Sequence, residues 1–341
     1  MTNEINHRCA VLGKPIAHSL SPVLHNAAYK ALGLDDWHYS RTEVGEDDLD
    51  GFLRTLDPSW AGLSLTMPLK RTIQPYGTPS DTWSKKLLVA NTAVFDWSKA
   101  TSNPDIKLYN TDVEGIVKAF SHCWQSAEFE NSGLKKSKSG NLQSEKPTKA
   151  VISDASNETD TEKPYQPGAK AVILGNGNTA LSALAACTEI EVPGTGSITR
   201  VTVCARHQHD HDPMRRLAQS QADLEYEQIP LSQAVECLQQ ADIVINTIPA
   251  HGADETAEKL ADALAGSKNV SSGKTLLDVV YDPRPTKLMQ VWRGKGGTAI
   301  GGEEMLLYQA IAQVRLMTVG AHIMGRADFE QAMRSALQEA L

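Results

Sequence analysis

The sequence predicts an α/β protein in two parts: an N-terminal α/β domain, then a Rossmann-like, doubly wound parallel sheet. Three observations carry this. Short apolar runs alternate with helix-like stretches along most of the chain, the pattern of strand–helix–strand units. The segment AKAVILGNGNTALSALAAC, Ala169 to Cys187, reads as an apolar strand, a glycine turn and a helix in direct succession. At 341 residues the chain also exceeds the size at which a single core is the rule.

Residues 1–124 carry apolar strands at CAVLG, WAGLSLT and TAVF, with helical stretches between them. Within this part, PIAHSLSPVLHNAA (residues 15–28) places Ser21 as a helix N-cap, with Pro22 at the first helical position. Capping leaves the second hydroxyl, Ser19, without a local task. Residues 125–168 differ in texture, being rich in Ser, Lys, Glu, Asn and Thr with little to bury, and are expected to form a disordered insertion without chemistry. Residues 169–302 add strands at RVTVCA, ADIVINT and KTLLDVVY, and residues 303–341 read as helix throughout. There is no internal repeat.

Composition excludes several classes of function. A net charge of -8 argues against nucleic acid or an anionic membrane surface as partner. No apolar stretch approaches the roughly 20 residues needed to span a bilayer, and the N-terminus lacks the apolar core of a secretory signal. Cys9, Cys123, Cys187, Cys204 and Cys237 are scattered and never form a C-x-x-C pair, which predicts free thiols, a cytoplasmic location and no zinc cage. His207, His209 and His211 alternate beside Asp210, but such a stretch reads as a solvated loop, so no metal site is expected.

The glycine turn is the most specific signal. GNGNTA sets Gly175, Gly177 and Ala180 in a G-x-G-x-x-A pattern between strand and helix. Gly175 permits the tight turn, Gly177 lets the backbone approach a pyrophosphate, and Ala180 allows close helix–strand packing. The next strand ends in Ala205-Arg206, with no acid until Asp210. An acid there would bind the ribose 2′-OH of NAD, whereas a guanidinium suits the 2′-phosphate of NADP(H).

Polar residues in the first part suit a partner for that cofactor. Lys70 follows a strand, Asp112 precedes a helix, and Asn91-Thr92 stands ahead of another strand. Singly, these are a surface lysine, a helix-capping aspartate and a turn. Beside a dinucleotide module they suit hydride exchange with a secondary alcohol of a small, polyhydroxylated acid. Lysine, held by a carboxylate, can handle the hydroxyl proton. Paired serine hydroxyls can bind a carboxylate without burying a competing cation.

The stretches GKPIAHSLSPVLHNAA, LSLTMPLK, ANT, NTDVEG, GNGNTA, INTIPAHG, DVVYDPRPT and MLLYQA occur in the order seen in shikimate dehydrogenases. The chain resembles that family over nearly all its length outside the insertion. The resemblance implies NADP-dependent, reversible reduction of 3-dehydroshikimate to shikimate, on the route to chorismate and aromatic amino acids. It implies a catalytic pair, Lys70 and Asp112. Ser19, Ser21 and Tyr281 would hold the substrate carboxylate, and Thr66, Asn91 and Gln309 the ring hydroxyls. The cofactor would meet Gly175, Asn176, Gly177, Asn178, Thr179, Ala180, Arg206, Thr247 and Gly302. The helices of 303–341 would return to the substrate domain, and the two domains would close over the ligands. A homodimer is compatible with the resemblance.

Rival readings are a quinate or dual quinate/shikimate dehydrogenase using NAD and, more remotely, a silent relative sensing NADP or a shikimate-like acid. The chain departs from the family pattern at five places. Ser64 replaces an asparagine, Asn178 a third loop glycine, and Ala205-Arg206-His207 an Asn-Arg-Thr cluster. Asp210 replaces a second arginine, leaving Arg215 and Arg216 as nearby cations, and Glu304 replaces a glycine near the expected nicotinamide edge.

Overall fold

A computed structural model describes residues 4–99, 103–138, 168–207, 213–266, 273–320 and 328–341, the side chains of 128–138 and 328 excepted. Two sheets organise them. The first comprises β1 (His7–Gly13), β2 (Trp37–Glu43), β3 (Trp60–Leu65), β4 (Thr78–Pro79), β5 (Thr92–Asp96) and β6 (Asp105–Tyr109), in the order β2-β1-β3-β5-β6-β4. β1 runs parallel to β2 and β3, and β5 runs antiparallel to β3 and β6, so this sheet is mixed.

The second sheet holds β7 (Ala169–Leu174), β8 (Glu191–Val192), β9 (Gly196–Ala205), β10 (Glu225–Pro230), β11 (Ile243–Asn246), β12 (Thr275–Asp278) and β13 (Thr298–Ile300). Its path, β10-β9-β7-β11-β12-β13, is parallel throughout, with β8 joined antiparallel to β9. The strand order reverses at β7, where ligands bind in doubly wound sheets. Buried runs such as Ala171–Leu174 and Ile243–Ile245 are apolar on both faces because helices cover both sides of a parallel sheet.

Leu24, Ala28 and Leu32 of the Ser21–Leu32 helix pack against Leu307, Ile311 and Val314 of the Gly302–Met317 helix, and against Phe329, Met333 and Leu337 of the Asp328–Ala340 helix. The end of the chain therefore packs on the N-terminal helix. Over 303–341 the described residues form two helices, Gly302–Met317 and Asp328–Ala340, with a turn at Thr318–Gly320 after the first. A larger cluster joins helices of the first half to the second sheet: Leu87, Val89, Val113, Ile116 and Phe120 meet Ile173, Ala180, Leu181 and Leu184. No helix among the described residues is long and apolar enough to cross a membrane.

One boundary needs correction. The helix that begins at Asp112 runs on to Lys138, so the low-complexity texture of 125–168 does not begin where the helix ends. Continuous i to i+4 backbone bonding carries polar residues as readily as apolar ones once a helix has nucleated against a core. Residues 139–167, the rest of the expected disordered insertion, lie outside the described residues.

Candidate active site

A cleft of about 330 Å³ opens beside the carboxyl ends of β1, β3 and β12. Lys70 enters it from a single helical turn, Leu69–Thr72, that follows β3 and Thr66. Asp112 enters from the first residue of the Asp112–Lys138 helix. Its backbone N–H is met by Asn110 Oδ1 at 3.1 Å, so the Asp112 carboxylate is not spent on capping. It faces inward: Lys70 Nζ donates to Asp112 Oδ2 at 2.5 Å, and Asn91 Nδ2 donates to Asp112 Oδ1 at 2.8 Å. The Lys70 and Asp112 side chains are only 11% and 5% exposed. Charges that deep persist as an ion pair because each offsets the other's loss of water.

Asn91 ties this pair to its surroundings. Its Oδ1 accepts from Thr111 N at 2.8 Å, and its Nδ2 also reaches Thr111 Oγ1 and Gln309 Oε1 at 2.9 and 3.3 Å. Gln309 donates its amide to Leu306 O at 2.9 Å. Thr66, Asn91 and Gln309 all line the cleft, together with Ser19, Ser21 and Tyr281 at its other end. Burial, with the neighbouring Asp282 carboxylate, pushes the Tyr281 phenol above its ordinary pKa, so it stays a hydrogen-bond donor.

The capping expected of Ser21 is not found. Ser21 is not the N-cap: Leu20 holds that position with φ -88° and ψ -1°, a helical conformation from which no side chain caps the helix. Ser19 does the local work, its Oγ accepting from Ser21 N at 3.4 Å. Beneath Ser21, His25 Nδ1 donates to the Ser21 carbonyl at 2.9 Å, and its ring stacks on Tyr39 at 3.9 Å. Full burial lowers the His25 pKa to about 4, so the ring is neutral.

The glycine turn adjoins the cleft and lines it through Thr179. Gly175 takes φ +99°, and a Cβ there would lie 2.6 Å from Thr247 Oγ1, so both conformation and space require glycine. A Cβ on Gly177 would meet nothing within 4 Å, which leaves its backbone open to a ligand. Gly177 precedes the Asn178–Cys187 helix, whose first N–H groups have no side-chain cap. Ala180 is fully buried, as close packing of helix on strand requires. Thr247 Oγ1 donates to Leu174 O at 2.7 Å, bracing the turn, and Asn176 Nδ2 donates to His207 O at 2.7 Å. Gly302 lets the last strand–helix junction close on β12, since a Cβ would fall 2.2 Å from Val279 O. Arg206 is exposed just beyond β9. Thr179 lines the cleft with Lys70, whose Nζ lies 3.5 Å from Thr179 Oγ1. Glycine turn, lysine and carboxylate therefore converge on one space.

Residues 11–93 match the family model for the shikimate dehydrogenase substrate binding domain. A shikimate 5-dehydrogenase structure from Mycobacterium fortuitum is 30% identical and superposes with a TM-score of 0.65, covering 97% of both chains. The chain belongs to the shikimate dehydrogenase family. The shikimate dehydrogenase of Mycobacterium tuberculosis is 28% identical, with a TM-score of 0.68 over 98% of this chain and 99% of that one. The shikimate dehydrogenase (NADP(+)) of Methanosarcina mazei is 28% identical over 311 residues, 90% of this chain and 91% of that protein.

Two departures from the shikimate dehydrogenase pattern have structural answers. Ser64 receives a hydrogen bond from Tyr39 OH at 2.6 Å and donates to Gln313 Oε1 at 2.8 Å. Gln313 Nε2 then reaches Thr92 Oγ1 at 3.1 Å and Asn91 O at 3.3 Å, so the shorter side chain joins a buried network that backs the cleft. Glu304 does not enter the cleft: Arg334 grips it through both terminal nitrogens, at 2.6 and 3.0 Å. His209, Asp210 and His211 lie outside the described residues, and no cluster of three metal-ligating side chains occurs among those described.

Sequence reasoning missed Tyr39, His25 and Gln313. Gln313 stands four residues after Gln309 on one helix face, a spacing that signals a shared contact. Tyr39 lies in a strand whose exposed, polar alternate residues hid it.

Proposed function

We propose that this chain is an NADP-dependent shikimate dehydrogenase, reducing 3-dehydroshikimate reversibly to shikimate on the route to chorismate and aromatic amino acids. The observation that carries the reading is the buried Lys70–Asp112 pair, facing a substrate-sized cleft on one side and a dinucleotide turn on the other. The names of the relatives, shikimate dehydrogenase (NADP(+)), support it.

NADPH, when bound, supplies the hydride, and the protein's own residues do the rest. Hydroxyls of Ser19, Ser21 and Tyr281 hold the substrate carboxylate with no buried cation. Thr66, Asn91 and Gln309 hold the ring hydroxyls and orient the carbonyl carbon. Lys70 Nζ gives a proton to the carbonyl oxygen as it gains negative charge, and takes it back in the reverse direction. Asp112 keeps the ammonium in place through the cycle. The backbone of residues 175–180 seats the pyrophosphate, with Asn176, Asn178 and Thr179 at its edge. Arg206 meets the 2′-phosphate, while Thr247 and Gly302 shape the rest of the bed. The five free thiols fit a reducing compartment, the cytoplasm.

The test is initial-rate kinetics with shikimate or quinate and NADP or NAD, on wild type and Lys70→Ala. Turnover of shikimate with NADP is expected, falling by about 10²–10⁴ in the variant while shikimate binding persists. A preference for quinate with NAD would refute the substrate and cofactor assignments. An active Lys70→Ala protein would refute the proton donor.

A further inference from the structure

Lys70 has a neighbour that none of this uses. Arg71, next in sequence, leaves the same helical turn and reaches the helix after the glycine turn, where its Nε donates to Asn178 Oδ1 at 2.7 Å. Asn178 is the first residue of the helix that follows the glycine turn, and it replaces the loop glycine usual in the family. A glycine at 178 offers no side-chain acceptor, so the bond depends on this substitution. Successive residues on each side thus meet successive residues on the other: Lys70 with Thr179, Arg71 with Asn178. Partial loss of water and the charge of Arg216 both weigh against the Arg71 cation, and the amide oxygen offsets part of that cost.

The geometry points to Arg71 and Asn178 as a positioning pair that fixes the Lys70 ammonium relative to the seat of the cofactor. This rests on the reading of Lys70 as proton donor. Neither side chain is among those that line the cleft. The short Leu69–Thr72 turn is held on its own side by Ala90 N donating to Lys70 O at 2.9 Å, Leu69 N donating to Thr66 O at 2.7 Å and Thr72 Oγ1 donating to Glu46 Oε1 at 3.0 Å. The Arg71 bond is its anchor to the glycine turn. Asp112 still holds the ammonium when that anchor is lost, but the glycine turn is no longer fixed against the Lys70–Asp112 pair. This misaligns carbonyl oxygen and cofactor and slows the proton-coupled step without weakening substrate binding.

The experiment compares wild type, Arg71→Ala, Asn178→Gly and the double variant, measuring kcat and KM for shikimate and NADP. Arg71 is exposed and the bond lies at the surface, so all should fold, which far-UV circular dichroism checks. The expected result is a fall in kcat of about tenfold in each single variant. KM for shikimate should stay within twofold, and the double variant should lose no more than either single one, because one bond is removed in each case. Arg71→Lys, which cannot reproduce the planar guanidinium geometry, should rescue only in part.

Unchanged kcat, or additive losses, would overturn the pair. A rise in KM for NADP alone would also overturn it, showing Arg71 to be a phosphate contact instead. Inactive wild type would take down the proton-donor reading and this inference together. Active wild type with indifferent variants would take down this inference alone.

Discussion

Arg206 stands where β9 gives way to its loop, beside a buried Ala205 and with no acidic side chain in the position that would serve NAD. A charge-assisted bond from its guanidinium to a 2′-phosphate carries about 1.5–3 kcal/mol. Arg206→Ala should therefore raise KM for NADP by about 10- to 100-fold and leave KM for NAD almost unchanged. Cofactor titrations at saturating shikimate read both values, and equal losses would show that Arg206 does not meet the phosphate. At this scale the sequence is informative wherever chemistry forces a residue type. Gly175 is legible because φ +99° and a Cβ 2.6 Å from Thr247 Oγ1 leave no alternative. Arg71 is not, because a surface arginine and one that bonds to the helix after the glycine turn read alike until that helix is in view.

The Ser21–Leu32 helix shows how an element carries a site and a pH dependence at once. His25 holds the Ser21 carbonyl and stacks on Tyr39, which in turn bonds Ser64 behind the cleft. Its folded pKa, about 4, lies below the unfolded value of 6.5. The unfolded chain thus binds the extra proton first. The stability from a neutral His25 is complete above pH 6.5 and is lost as pH falls from 6.5 toward 4. Between pH 7 and pH 5 this group should cost about 2 kcal/mol of unfolding free energy. Urea titrations at both pH values, on wild type and His25→Gln, should show that difference shrinking in the variant; parallel losses would exclude His25 as its source. Elements differ in how plainly the sequence announces them. β7, β11 and β12 are apolar runs because both faces are covered. β2 and β10 are sheet edges whose residues alternate with exposed polar ones, and neither stands out as a strand. The start of the Ser21–Leu32 helix is hard to read from the sequence for a related reason: the N-cap depends on a backbone angle at Leu20 that no residue type there dictates. The Tyr39–Ser64–Gln313 network joins residues as far as 249 positions apart, beyond any local pattern.

Across the whole molecule the first sheet keeps a core of its own, while helices of the first half enter the core of the second sheet. Leu181, 2% exposed on the Asn178–Cys187 helix, belongs to a cluster that also takes in Val113, Ile116 and Phe120 of the Asp112–Lys138 helix. Polar links run alongside: Asn110 Nδ2 donates to Ser182 Oγ at 3.1 Å, and Trp83 Nε1 to Glu189 Oε1 at 2.7 Å. Leu181→Ala should destabilise the protein by about 2–5 kcal/mol. Tryptophan fluorescence and far-UV circular dichroism should report one shared urea transition that shifts as a unit. Two separated transitions would mean that the halves unfold independently. The shared core also bears on how this architecture can be recombined. The Asn178–Cys187 helix packs on the neighbouring half, so a glycine turn grafted from a relative must arrive with matching partners on the Asp112–Lys138 helix. The tip of β9, where Arg206 is exposed, is free of that constraint. Preference between the two nicotinamide cofactors is the transplantable property of this chain, and the seat of the cofactor's pyrophosphate is the inherited one.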